Sequence, residues 1–123
     1  MVSGTGPGDT TSAPAAILGF DHAYYVDRSG EAAVRYLAEG ATGVNRNGVR
    51  ATITADHLQR EGIDQTPPTT RYCVRIVRDR APGRWHVQLT QQVGHDIASV
   101  AQQLIITTTT GDGWTLITAI VQR

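Results

Sequence analysis

From residue 70 onward the chain alternates apolar and polar residues, and this pattern restricts the fold more than any other feature. Tyr72, Val74 and Ile76 interleave with Arg71, Cys73 and Arg75, and Trp85, Val87 and Leu89 interleave with His86, Gln88 and Thr90. A run through Val100, Gln102, Leu104 and Ile106 ends in a threonine tract, and Trp114, Leu116 and Ile120 alternate with Thr115 and Thr118. Pro82-Gly83 and Gly111-Asp112-Gly113 supply the turns. A period of two sends neighbouring side chains to opposite faces, so such runs joined by short turns predict an antiparallel meander. The link 93–99 reads as a loop or a bulged strand start. Strands do not alternate with helices here, which excludes a doubly wound parallel sheet.

The front of the chain carries a different period. Ser12 can cap a helix predicted over 12–27, with Pro14 tolerated in its first turn and Ile17, Leu18, Phe20, Tyr24 and Tyr25 as its apolar stripe. A second helix is predicted over 30–39, capped by Ser29, packed through Val34 and Leu37 and stopped by Gly40. Residues 40–50, rich in Gly, Asn and Arg, read as a loop. Thr54 caps a third, short helix that Pro67-Pro68 ends. Residues 1–11 read as a flexible Gly/Ser/Thr/Pro tether. Residues 12–123 then form a single α+β domain, helices packed on a curved antiparallel sheet. The length suits one domain with a core of its own.

Composition narrows the function classes. The formal net charge is zero, so bulk charge offers no attraction to nucleic acid or membrane. The basic residues are all arginine, as in GC-rich, actinobacterium-like genomes. Arginines concentrate at Arg71, Arg75, Arg78, Arg80 and Arg84, a solvated hairpin face or a docking patch for an acidic partner. Arg71 and Arg75 alternate with Tyr72 to opposite faces, which argues against a stacking platform for nucleic acid. No apolar stretch is long enough to cross a bilayer, and the opening residues lack the pattern of a signal peptide. Such a tether would suit a segment that follows an anchor or leader. Cys73 is alone, so it has no intramolecular disulfide partner, and its apolar neighbours predict a buried structural thiol.

No catalytic motif stands out. His22, His57, His86 and His95 are scattered without metal-ligand spacing, so neither metal nor cofactor is predicted. The Gly4, Gly6 and Gly8 repeat does not follow a strand, and Ser12, Ser29 and Ser99 lack a nucleophile-elbow context. Asp21 and His22 could serve acid–base chemistry or simply form a polar pair on a helix surface.

Element order and four stretches together carry a resemblance. They are Phe20-Asp21-His22-Ala23-Tyr24-Tyr25-Val26-Asp27, Ala32-Ala33-Val34-Arg35-Tyr36-Leu37, Thr70-Arg71-Tyr72-Cys73-Val74 and Gly113-Trp114-Thr115-Leu116-Ile117-Thr118-Ala119-Ile120. Over about residues 13–122 the chain resembles the NTF2-like (SnoaL-like) superfamily, a cone-shaped α+β roll. It resembles in particular the small extracytoplasmic domains of actinobacterial envelope and secretion-associated proteins. That resemblance implies a tethered module outside the membrane, non-catalytic, with a cytoplasmic setting as the alternative. Ketosteroid isomerases of this layout use a helix-one tyrosine, for which Tyr24 or Tyr25 would stand, with two sheet-side aspartates. Here Asp79, Asp96 and Asp112 all fall in predicted turns. Epoxide hydrolases of this layout need an Asp–Arg–Asp set, and Arg75 has no acid beside it on its strand.

The expectation is therefore an accessory or interaction domain that meets a protein partner, or a second copy as a homodimer, through the outer sheet face. Arg71, Arg75, Arg78, His86, Gln88 and Gln103 are its interaction-surface candidates. The alternative is a cone that binds a small apolar ligand, or an isomerase, cyclase or dehydratase that uses it. Phe20, Asp21, His22, Tyr24, Tyr25, Trp85 and Trp114 are the pocket candidates.

Overall fold

A computed structural model describes residues 2–4 and 8–123. The strands are β1 (Val2–Gly4), β2 (Leu37–Val44), β3 (Arg50–Thr52), β4 (Thr70–Arg78), β5 (Arg84–Val93), β6 (Ser99–Thr109) and β7 (Thr115–Gln122). The helices are α1 (Ala13–His22), α2 (Gly30–Val34) and α3 (Ala55–His57). Wider π turns extend α1 through Ala23–Asp27 and α3 through Leu58–Ile63. Ser12, Ser29 and Thr54 each accept a backbone N–H at the start of a helix, as their side chains allow. Arg28, in the left-handed region at φ 53°, ends the first helical segment.

The strands form one sheet in the order β1-β4-β5-β6-β7-β2-β3. The predicted meander is its centre: β4, β5, β6 and β7 pair antiparallel in sequence order. The helices lie against the inner face, where Ile17, Phe20, Ala23 and Ala33 meet Val74, Ile76, Val87, Leu89, Ile105, Ile117 and Ile120. This is the α+β cone of the NTF2-like fold.

Four expectations need correction. The second helix stops at Val34, and β2 begins at Leu37, so the stretch read as a 40–50 loop is largely strand. Its glycines look like loop residues in isolation. Gly40 takes φ +74° inside β2, and the register against β7 shifts between Leu37 and Thr42, as a bulge requires. The partner of β2 is β7, far along the chain and parallel, so the sheet is mixed rather than wholly antiparallel. Trp114 does not begin the inward face of the last strand. The strand starts one residue later, Thr115 and Ile117 are buried, and Trp114 stands 59% exposed. Cys73 is exposed, because its neighbour Val74 takes the core side and the alternation turns Cys73 outward.

Of the opening stretch, residues 1 and 5–7 lie outside the described residues. Val2–Gly4 pairs antiparallel with β4 opposite Val74–Ile76, and the Thr10 carbonyl accepts the Thr115 N–H at 2.8 Å.

Candidate ligand-binding cavity

The inner face is not filled along its whole length. Toward the ends of β5 and β7 a cavity of about 650 Å³, open to solvent, lies between the helices and the sheet. Phe20, Asp21, Tyr24 and Tyr25 line it from the first helical segment, Leu58 and Gly62 from the third, and Leu89, Gln91, Ala101, Gln103, Ile120 and Gln122 from the sheet. Gln103 and Gln122 are direct cross-strand partners, and Ala101 faces Leu89.

Asp21 is the chemical centre of this wall. It is 5% exposed, and its Oδ2 has no hydrogen-bond partner among the described residues. Burial pushes its carboxyl up to about 7, because the charged form loses its hydration and gains no counter-charge. An unpaired buried polar atom costs about 1–3 kcal/mol, so this carboxyl is a liability unless something in the cavity meets it.

Three tyrosines surround the acid. Tyr24 and Tyr25 meet with ring centroids 4.9 Å apart, Tyr25 stacks on Tyr72 at 4.6 Å, and Phe20 lies 6.4 Å from Tyr24. Burial raises all three phenols, and the charge of Asp21 raises them further, with Tyr72 pushed up to about 12. They remain neutral at any ordinary pH. The Tyr24 hydroxyl bonds to Thr66 and lies over Gly62. A Cβ at Gly62 would collide with that hydroxyl, so glycine there is what lets the tyrosine seat.

The structure brings together Phe20, Asp21, Tyr24 and Tyr25 of the pocket candidates and separates the rest. His22, next to Asp21 in sequence, turns away and approaches Asp27 at 3.6 Å, so the two do not form a pair. Trp85 sits at the other end of the inner face, its indole N–H donating to Thr107 Oγ1 at 3.2 Å, and Trp114 is in a surface turn. Neither lines the cavity.

Of the surface candidates, Arg71, Arg75, His86 and Gln88 alternate away from the buried Val74, Ile76, Val87 and Leu89 and lie on the outer face. His86 holds Asp79 at 2.7 Å, and that bond keeps the Asp79 carboxyl below the usual carboxylate range. Arg78 and Gln103 do not share that face. Arg78 has the parity of Ile76, and its guanidinium lies 5.4 Å from the Trp85 ring centroid. Gln103 has the parity of Ile105 and lines the cavity. Gln91 and Gln122 went unrecognised as inward residues, yet Gln91 is two residues from Leu89, and strict alternation points it inward. Among the described residues no cluster of His, Cys, Asp and Glu could hold a metal ion, and no helix is long and apolar enough to cross a membrane.

Residues 1–121 match the family described as Domain of unknown function (DUF8176). The chain belongs to that family. No curated protein matches this DUF8176 domain. Solved structures share its fold. A ketosteroid isomerase-like protein from Erwinia carotovora atroseptica aligns with TM-score 0.57 and 13% identity over 89% of this chain and 90% of that one. A domain of unknown function with a cystatin-like fold from Nostoc punctiforme aligns with TM-score 0.59 and 20% identity over 92% and 77%. An NTF2-like protein of unknown function from Shewanella baltica aligns with TM-score 0.50 and 11% identity over 88% and 90%. At these identities the likeness shows the fold alone.

Proposed function

We propose that this DUF8176 domain is a binding chamber for a small, largely apolar molecule, held in the cone with Asp21 as its polar anchor. One observation carries this reading: a buried aspartate, Asp21, lines a cavity of about 650 Å³ with one of its carboxyl oxygens left unpaired. That volume falls in the range of ligand pockets, and an apolar lining with a few convergent polar groups is their usual chemistry. Asp21 titrates near neutrality, so it can donate from its protonated form or accept from its ionised form. The acid–base alternative would need a second proton carrier beside it. His57 and Glu61, the other titratable side chains besides the tyrosines along the lining, are both exposed.

The test is uptake of an uncharged solvatochromic dye, Nile red. The folded domain should take up one dye per chain with a blue shift in emission. Ala101→Trp, which fills the cavity from β6, should abolish uptake while the domain stays folded. Undiminished uptake by that variant would sink the proposal.

A second reading, an accessory domain that meets a protein partner through its outer face, draws on Val77 and Val100. These lie 45% and 49% exposed on that face, beside its uncharged Gln88 and Thr90. Val77→Glu should dissolve any dimer or complex seen by light scattering; a monomer without partners would remove this reading.

A further inference from the structure

The chamber proposed above has a charge problem, and the problem points to a ligand class. Asp21 has no ion-pair partner among the described residues. The chain contains no lysine, and no arginine lines the cavity. Arg28, which follows the helical segment of Asp21, spends its Nη2 on the Ile63 carbonyl at 2.9 Å. Gln91, Gln103 and Gln122 can donate or accept but cannot neutralise. His57 and Glu61, the other ionisable groups of the lining besides the tyrosines, are both exposed. Among the described residues the lining therefore carries a buried acid and no positive charge paired with it.

The rest of the wall suits a cation too. Phe20, Tyr24 and Tyr25 present aromatic rings around the acid, and the negative faces of such rings attract positive charge, more strongly where water is excluded. An anionic ligand would be repelled by Asp21. A neutral one would leave the carboxylate uncompensated or require it to stay protonated. A cation alone turns the cost of burying Asp21 into attraction.

We infer that the chamber takes an organic cation, an amine or quaternary ammonium on an apolar body, with Asp21 as counterion and Phe20, Tyr24 and Tyr25 as its aromatic wall. The inference rests on the chamber reading. It fixes the sign of the pH dependence. Facing Asp21 are Tyr24 and Tyr25 on its own segment and Tyr72 on β4, all raised and neutral. Asp27 and Arg28 follow it in the chain, and His57 and Glu61 stand at the mouth. The β5, β6 and β7 side offers only uncharged glutamines and apolar residues. Asp21 must be ionised to pair, so a cation should bind more tightly as pH rises through about 7 and then level off.

The experiment compares tryptamine with tryptophol, the same indole skeleton ending in ammonium or hydroxyl, by titration calorimetry from pH 6 to 8. Tryptamine should bind at least tenfold more tightly at pH 8 and lose about tenfold by pH 6, as the ionised fraction of an acid titrating near 7 falls. Asp21→Asn should erase the preference and the slope, with its thermal transition as a check on folding. Equal affinity, a preference that survives Asp21→Asn, or tighter tryptamine binding at lower pH would each overturn the inference. Tryptophol binding alone would overturn it and leave the chamber standing, with protonated Asp21 as a donor. Binding of neither probe overturns it as well, and absence of Nile red uptake in the same preparation would remove the chamber with it.

Discussion

The two ends of the cone's inner face are built on opposite rules. At one end Ile17, Ile76, Val87, Ile105 and Ile117 are almost wholly buried and pack into a closed apolar layer. At the other, Gln91, Gln103, Gln122 and Asp21 line open space. Strand β6 passes from one regime to the other in two residues, from Ile105 to Gln103, on the same face. Helix α1 crosses the boundary at Phe20, which packs in the core cluster and also lines the cavity, with Asp21 beside it on the cavity wall. Stability is concentrated at the filled end, and this leaves the open end free to keep a hollow and an unpaired acid. Sheet curvature makes the division possible, because a twisted sheet cannot contact a short helix along its whole length.

The sharpest way to break this division is to place a residue of one end into the other. Ile105→Gln puts an amide into the filled end, where no described side chain is positioned to bond it. It should cost about 4 kcal/mol, from lost apolar burial plus an unsatisfied polar group, read by urea denaturation. A loss below about 1 kcal/mol would mean that the filled end is looser than its burial implies.

Asp21 gives the open end its own signature in pH. Its folded carboxyl titrates near 7, while an unfolded aspartate titrates near the ordinary 3.8. Between those values the folded state holds a proton that the unfolded state has released. The Asp21 contribution is therefore full below about pH 4, falls as pH rises, and is exhausted above about 7. The whole change is on the order of 4 kcal/mol. Wild type minus Asp21→Asn, compared by denaturation across pH 4–8, should isolate that fall. A flat difference would show that the acid is already paired or hydrated.

How much of this could be read from the chain depends on where each signal lies. The meander was legible because alternation and turns are local, and the three caps because Ser12, Ser29 and Thr54 act on the next turn. Strand β2 was hidden: its glycine-rich sequence has no strand character, and its pairing with β7 is a contact between distant segments. The start of β7 was off by one residue, which cost Trp114 its predicted place, while the register shift against β6 between Ile106 and Thr107 lets both Ile117 and Ile120 face the core. The cavity wall was half legible. Phe20, Tyr24 and Tyr25 follow from helical spacing, but an aspartate beside a histidine looks like a surface pair. Only the packed helix shows that Asp21 turns in while His22 turns out toward Asp27. Gln91, Gln103 and Gln122 were missed because polar residues in a strand are read as solvent-facing, a rule that holds for a filled core and fails for a hollow one.

Gly62 tests whether the open end is shaped or merely loose. Gly62→Ala places a methyl group against the Tyr24 hydroxyl, and the tyrosine must shift or the turn must open. The expected cost is about 2 kcal/mol. Adding Tyr24→Phe removes the hydroxyl, so the double variant should be more stable than the sum of the two singles by about 1 kcal/mol. Strict additivity would say that the wall yields freely and that the cavity has no fixed outline.

The smallest effect is the most telling for the division itself. Gln103 makes no side-chain hydrogen bond to another described residue, and it lies beside Gln122 on the cavity wall. Gln103→Leu is nearly isosteric and leaves no buried partner unsatisfied. At a packed polar site such a change would cost several kcal/mol; here it should move stability by no more than about 0.5 kcal/mol in either direction. It should also tighten Nile red uptake, since the wall becomes more apolar while Asp21 stays in place. A loss above about 2 kcal/mol would mean that the amide is bonded within a closed structure. The open end would then be a second core with polar members, and the contrast with Ile105, two residues away on the same face, would disappear.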